Sequence, residues 1–236
     1  MMNYDDILCV IPARGGSKGI PRKNLQNLAG IPLFVHSIQH ALRAGIPNLN
    51  IVVSSDDDEI LSVAAKHHVM AHRRPNNISQ DLSSTEECLI DAVQVCKTKK
   101  TLICLQPTSP IRFPTLISDC LQAYYDGGYD SLHTATKFYD LFWFKPYNDG
   151  KWYSSYAPKE RLMRQKMPES SLKYFENGNL YIMDIDVLLK DKCRHGKKVG
   201  VYPISELEAI QIDTSDDLEK VRMIFKGLSN SRMLKS

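Results

Sequence analysis

No run in this sequence approaches the ~20 apolar residues that a membrane-spanning helix needs, and the stretch from Met1 to Asp6 is acidic, unlike a secretion signal. A membrane is therefore not an expected partner, and a cytoplasmic location is. The six cysteines, Cys9, Cys88, Cys96, Cys104, Cys120 and Cys193, include no Cys-x-x-Cys pair and sit mostly within apolar segments. Neither a disulfide framework nor a cysteine zinc site is expected from them. The charge is nearly balanced, at +3, and no long basic run could follow a nucleic-acid backbone, so nucleic acid is not an expected partner either. Repeats and low-complexity tracts are also missing.

What remains is an ordinary globular composition, 43% apolar and 24% charged, in a chain of 236 residues that can bury one substantial core. Short apolar runs alternate with helix-period segments, which predicts an α/β fold with a mostly parallel sheet flanked by helices. Strands are expected at Ile7 to Pro12, Asn50 to Ser54, near Val69, at Thr101 to Leu105, Ser131 to Thr136, Gly178 to Met183 and Lys198 to Ile204. Helices are expected at Leu33 to Ala44, Asp57 to His68, Ser84 to Thr98, Pro114 to Gly127 and Ser215 to Phe225. Between Lys137 and Lys173 the pattern breaks and aromatics crowd: Phe138, Tyr139, Phe142, Trp143, Phe144, Tyr147, Trp152, Tyr153 and Tyr156. So many rings need cover, either from a second subunit against an inserted arm or from the chain itself under a lid.

The first strand runs into Ala13-Arg14-Gly15-Gly16-Ser17-Lys18-Gly19-Ile20-Pro21-Arg22-Lys23-Asn24. A loop at the carboxyl end of a parallel strand lies where α/β sheets bind ligands. Its glycines let backbone N–H groups approach oxygen atoms closely, and Arg14, Lys18 and Lys23 add full charges, which outlines a polyphosphate cradle. The loop is neither a Walker loop nor a dinucleotide fingerprint. A second loop, Gln106-Pro107-Thr108-Ser109-Pro110-Ile111-Arg112, follows another buried strand; it offers neutral donors and acceptors suited to a polyhydroxylated substrate. Between them stand Arg74-Pro75 and Ser83-Ser84-Thr85-Glu86-Glu87, where Ser83 or Ser84 would cap a helix. Ile210-Gln211-Ile212-Asp213-Thr214 alternates as a strand would, placing Gln211 and Asp213 on one face, where Asp213 could hold Mg²⁺.

The first loop resembles the signature of the acylneuraminate cytidylyltransferases, Ala-Arg-x-x-Ser-Lys-Gly-x-x-x-Lys-Asn, and fits it at every fixed position. The similarity extends over about residues 5 to 226 and implies a Rossmann-like fold of the nucleotide-diphosphosugar transferase kind, with a small inserted dimerisation arm. It divides the chain into a nucleotidyltransferase domain at 1–137 and 174–228, an inserted arm or lid at 138–173, and a tail at 229–236. The implied activity moves CMP from CTP to a nine-carbon 2-keto acid sugar of the sialic acid type, with Mg²⁺ and a homodimer. By this resemblance Arg14, Lys18 and Asp213 serve catalysis, while Ala13, Gly15, Ser17, Lys23, Asn24, Arg74, Ser83 and Thr85 bind CTP. Gln106, Thr108, Ser109, Arg164, Lys173, Asn177 and Tyr181 bind the sugar.

Two departures stand out. The family usually has Asp-Ile-Asp where this chain has Gln211-Ile212-Asp213, so Gln211 offers the metal only a neutral oxygen. Relatives of the bacterial type carry an Arg two residues before Asn177, where this chain has Phe175; Arg164 or Lys173 is then expected to grip the sugar carboxylate. Which nine-carbon acid is used, N-acetylneuraminic, legionaminic or pseudaminic, stays open. The alternatives are a synthetase for the eight-carbon acid Kdo and a nucleotide-binding protein without catalysis.

Overall fold

The structure is a computed structural model, described over residues 4–96, 98–139, 141–145 and 150–230, except for the side chains of residues 164 and 228–230. In chain order the elements are β1 (Ile7–Pro12), β2 (Asn27–Leu28), β3 (Ile31–Pro32), α1 (Leu33–Arg43), β4 (Ile51–Ser55), α2 (Asp58–Lys66), β5 (Met70–Arg73) and α3 (Thr85–Val93). There follow β6 (Thr101–Leu105), α4 (Leu116–Gly127), β7 (Ser131–Tyr139), β8 (Trp143–Phe144), β9 (Tyr153–Ser154), β10 (Leu172–Asp184), α5 (Ile185–Asp191), β11 (Val199–Ile204) and α6 (Ser215–Asn230).

A seven-stranded sheet takes the order β11-β7-β10-β6-β1-β4-β5. Only β10 runs against its neighbours β6 and β7, and every other pair in the sheet is parallel. Strand β1 is buried from Ile7 to Ile11 because both sheet faces are covered, as parallel sheets require. Ile7, Cys9 and Ile11 face a layer with Phe34, Val35 and Ile38 of α1 and Leu121 of α4, whereas Leu8 and Val10 face Leu89 and Ala92 of α3 and Leu188 of α5. Helix α6 closes a third cluster, with Leu218 and Val221 against Ile20, Leu28 and Ile212.

Local chemistry sets the helix ends. The Asp57 side chain accepts from the N–H groups of Glu59 and Ile60 at the start of α2, and Ser84 and Glu87 form a reciprocal capping box on α3. Gly128, with φ 54°, ends α4 in the left-handed conformation.

Helix α1 carries His40, whose Nε2–H donates to the Pro110 carbonyl at 3.1 Å. Burial, helped by the nearby Arg112 cation, pushes its pKa from 6.5 down to about 3. The unfolded chain takes up a proton near pH 6.5 that the folded chain refuses until about pH 3, so this group costs stability as pH falls through that window. The expected loss is about 2 kcal/mol between pH 7 and pH 5, read from urea unfolding at both values. His40→Gln should flatten that slope, and an unchanged slope would show that His40 does not drive it.

Two expectations change. The stretch Ile210 to Thr214 is an extended loop, not a strand: no sheet edge pairs with it, and Ile212 instead donates its N–H to the Thr108 carbonyl at 2.8 Å. Strand β10 begins at Leu172, earlier than expected, because its largely exposed first half pairs with the outer part of β7, Leu172 opposite Tyr139 and Glu176 opposite Ala135. The insert is joined to the main sheet through this ribbon, with β8 and β9 as a small hairpin beyond it. Of the expected insert aromatics, Tyr147 lies outside the described residues, as do residues 231–236 of the expected tail; α6 extends to Asn230.

Candidate active site

The loops after β1 and β6, the entry to α3 and the stretch before α6 converge on one polar cavity of about 330 Å³ at the carboxyl side of the sheet. Arg14, Ser17, Lys23, Asn24, Arg74, Ser83, Thr85, Gln106, Thr108, Gln211 and Asp213 all line it. Residues separated by nearly two hundred positions thus meet where the sequence pattern placed the chemistry. Gly19 is required for this approach, since a Cβ there would lie 2.5 Å from the Asp213 carbonyl oxygen.

The cations of the basic loop are paired with carboxylates from other segments. Arg14 reaches Asp81 at 2.9 Å and Lys18 reaches the other oxygen of the same carboxylate at 2.8 Å. The two cations hold the Asp81 carboxyl below its ordinary range, Lys18 contributing first. Lys23 donates to the Ile212 carbonyl at 2.9 Å and pairs with Asp213 at 3.2 Å; Arg22 pairs with Asp57 at 3.1 Å. Ala13 extends the β1 ladder by donating its N–H to the Ser54 carbonyl, and Gly15 donates to Asp56 Oδ1 at 2.9 Å. Asn24 is buried and donates to the Arg14 carbonyl at 2.8 Å, so part of its amide fixes the loop.

Arg74 differs from these cations. It is 5% exposed, its N–H continues to the Ser55 carbonyl, and its nearest carboxylate, Asp56, stands 3.9 Å away. Its Nε and Nη2 are buried with no hydrogen-bond partner. A buried guanidinium with donors unused is costly by itself, and this one lines the cavity, so it is poised to receive oxygen acceptors. Next to it Ser83 Oγ accepts from the Gln80 N–H at 3.0 Å, while Ser84, not Ser83, caps α3.

The residues expected at the sugar divide into two groups. Gln106 and Thr108 reach the cavity; the Gln106 carbonyl accepts at 2.9 Å from Arg112, which is fully buried and also donates to the Asn179 carbonyl at 2.7 Å. Ser109, Asn177 and Tyr181 do not line it. Ser109 is buried beneath the loop, and Asn177 is taken up by hydroxyls, accepting from Thr134 at 2.8 Å and donating to Thr136 at 3.0 Å. Tyr181 lies in the α3–α5 layer and donates to Glu176 at 2.7 Å. Lys173 is exposed on the outer half of β10, away from the cavity lining, and the Arg164 side chain lies outside the described residues.

Gln211 and Asp213 flank the buried Ile212 and both reach the cavity despite the absence of a strand. The Gln211 amide nitrogen donates to the Asn177 carbonyl, beside Gly178, which holds φ 67°. That leaves the Gln211 oxygen and the Asp213 carboxylate, 65% exposed, as hard donors on this side. They fit Mg²⁺, which takes one or two carboxylates together with phosphates and waters.

Sequence reasoning missed Asp56 and Asp81 as members of the site, together with the supporting pair Arg112 and Asn179. Asp56 directly follows β4, the same topological position as the two loops that were found, and that signal was available. Asp81 stands in the segment before α3 that was read as a helix cap and, by resemblance, as a source of the CTP contacts Ser83 and Thr85, with no role given to Asp81 itself.

The sequence profile of the family described as cytidylyltransferase matches residues 8–224. Among curated relatives, a pseudaminic acid cytidylyltransferase of Campylobacter jejuni is 29% identical over 228 residues, covering 93% of this chain and 96% of the relative. An N-acylneuraminate cytidylyltransferase A of Danio rerio is 28% identical over 211 residues, 89% of this chain and 49% of that longer protein. Among solved structures, a CMP:2-keto-3-deoxy-manno-octonic acid synthetase complexed with CTP superposes with TM-score 0.68 at 17% identity, over 95% of this chain and 100% of that one. A 4-diphosphocytidyl-2C-methyl-D-erythritol synthase of Anaerococcus prevotii gives TM-score 0.66 at 13% identity, over 94% and 97%. At those identities the structures show the shared nucleotidyltransferase fold, and the profile match shows the rest: this chain belongs to the cytidylyltransferase family.

Proposed function

We propose that the chain transfers CMP from CTP to a nine-carbon 2-keto acid sugar, releasing pyrophosphate. The observation that carries the reading is the cavity where the Ala13-to-Asn24 loop, the Arg74 guanidinium with two donors free of hydrogen bonds, and Asp213 converge. Relatives named for pseudaminic and N-acylneuraminic acids support the sugar class, but 29% against 28% identity does not choose between those two sugars. Likeness to the eight-carbon acid synthetase is at the level of fold, at 17% identity, and favours that alternative only weakly.

In this reading the sugar's anomeric hydroxyl attacks the α-phosphate in line and releases its proton to solvent, the bond from the α-phosphorus to the bridging oxygen breaks, and pyrophosphate departs. Such chemistry asks the protein for position and for neutralisation of charge. Arg14, Lys18 and Lys23 exchange their carboxylate partners for the triphosphate, Arg74 and the α3 entry take the nucleoside side, and Gln106 and Thr108 orient the sugar. Bound Mg²⁺ at Asp213, with the Gln211 oxygen, supplies further neutralisation of the phosphates. The test is pyrophosphate release from CTP with pseudaminic, legionaminic, N-acetylneuraminic and Kdo acids offered separately. Turnover with Kdo alone would overturn the sugar class, and turnover with none would favour a silent nucleotide binder.

The reading extends to a cytoplasmic homodimer. The cysteines are free thiols, and among the described residues no helix is long and apolar enough to cross a membrane. On the arm, Phe142, Trp143, Phe144, Trp152 and Tyr153 are each 41% or more exposed, beside a groove of about 960 Å³ lined by Phe138, Leu162, Met163 and Phe175. A patch of that kind suits a second copy of the chain. Light scattering is expected to give twice the chain mass, and Trp143→Ser with Phe144→Ser to give a folded monomer. A wild-type monomer would return the arm to a lid role.

A further inference from the structure

Outside the cavity, in the layer between the sheet and α3 and α5, three donors from distant elements come together. His133 belongs to β7, Glu176 to β10 and His195 to the loop after α5; one ligand atom from each lies within 4.8 Å of the others. His195 Nε2 stands 3.8 Å from Glu176 Oε2, and the two imidazole rings meet edge to face at 5.1 Å.

Ordinary hydrogen bonding does not account for this arrangement. His133 Nδ1 and His195 Nε2 are both buried without a hydrogen-bond partner, and a buried donor or acceptor left unmade is destabilising. The carboxylate is meanwhile oriented, since Tyr181 O–H donates to Glu176 Oε1 at 2.7 Å and leaves Oε2 turned to the histidines. A carboxylate ligand fixed by a neighbouring donor is the usual second layer of a metal site. Tyr181 is itself fixed by Arg194, 4.8 Å over its ring, and Arg194 by its pair with Glu86 at 2.6 Å.

We propose that His133, Glu176 and His195 form a binding site for a divalent cation of the zinc class, separate from the Mg²⁺ expected at Asp213. Two imidazoles and one carboxylate match the preference of Zn²⁺ for nitrogen and oxygen donors at about 2.0–2.2 Å. Closing the present triangle to those distances takes side-chain movements of under about 1 Å. Three protein ligands leave room for water. Glu176, 43% exposed, gives the ion a path from solvent. The ion would tie β7, β10 and the loop after α5 together immediately before the Asn177–Gly178 turn that Gln211 contacts.

The test uses the intact chain, stripped by a chelator and titrated calorimetrically with Zn²⁺ in saturating Mg²⁺. One equivalent should bind, and His133→Ala and His195→Ala should each weaken it at least tenfold. Glu176→Gln keeps the shape of an exposed side chain and should weaken it about tenfold with an unchanged circular dichroism spectrum, which guards against a folding artefact. The Cys193 thiol accepts the His195 N–H at 3.4 Å, so Co²⁺ is the second probe: its spectrum should lack a thiolate charge-transfer band. Equal Zn²⁺ affinity in wild type, His195→Ala and Glu176→Gln, or a thiolate band, overturns the site. None of these readouts depends on CTP turnover.

Discussion

Replacing Arg74 with alanine is expected to lower kcat/KM for CTP by about 10–10², because hydrogen bonds from a buried charged donor to the nucleoside are worth roughly 1.5–3 kcal/mol. The side chain is 5% exposed, lines the cavity, and keeps Nε and Nη2 without partners. Its removal strands no buried acid, since Asp56 is 3.9 Å away and partly solvated, so the protein should still fold. Arg74→Lys should recover little, as a point charge cannot replace a planar fork. Pyrophosphate release against CTP concentration, with circular dichroism as the folding control, checks both. A value within threefold of wild type would remove Arg74 from the nucleotide site.

The second large effect is expected at Asp213. Asp213→Ala should abolish Mg²⁺-dependent turnover, a loss of at least about 10². It also frees Lys23 from its 3.2 Å partner, so CTP binding measured without metal should hold or tighten while turnover falls. Retained metal dependence would place the ion elsewhere. Gln211→Asp is expected to act in two directions: a second carboxylate should lower the Mg²⁺ needed for half-maximal rate, while loss of the amide donor to the Asn177 carbonyl should cost about 1 kcal/mol, read as a lower Tm. Titration and thermal unfolding separate the two.

These residues also show what the sequence could convey. Strands β1 and β6 were legible residue for residue, because an apolar run buried on both faces and ended by a ligand loop leaves little choice of boundary. The alternation at Ile210 to Thr214 was read correctly for which side chains face the cavity and incorrectly as a strand. Period alone does not reveal whether a sheet edge is free to pair, and here Ile212 meets the backbone of Thr108 and the side chain of Lys23. The first half of β10 was invisible for the opposite reason: Lys173 to Glu176 are exposed, and only pairing with β7 makes them a strand. In the site, cations announced themselves through glycines and spacing. Their partner Asp81 did not, because it acquires meaning only when the fold brings it to Arg14 and Lys18.

If the nucleotide enters as proposed, the pairing of Arg14 and Lys18 on Asp81 and of Lys23 on Asp213 would make that entry an exchange of counter-ions rather than a capture by bare charge. An incoming anion would have to displace both carboxylates. A monovalent ion, or inorganic phosphate with two charges on one centre, can satisfy one such cation but cannot span the rest. A triphosphate can. With a triphosphate seated as proposed, the loop would act as a valence filter, passing over small anions and releasing its cations together to a chain of linked phosphates.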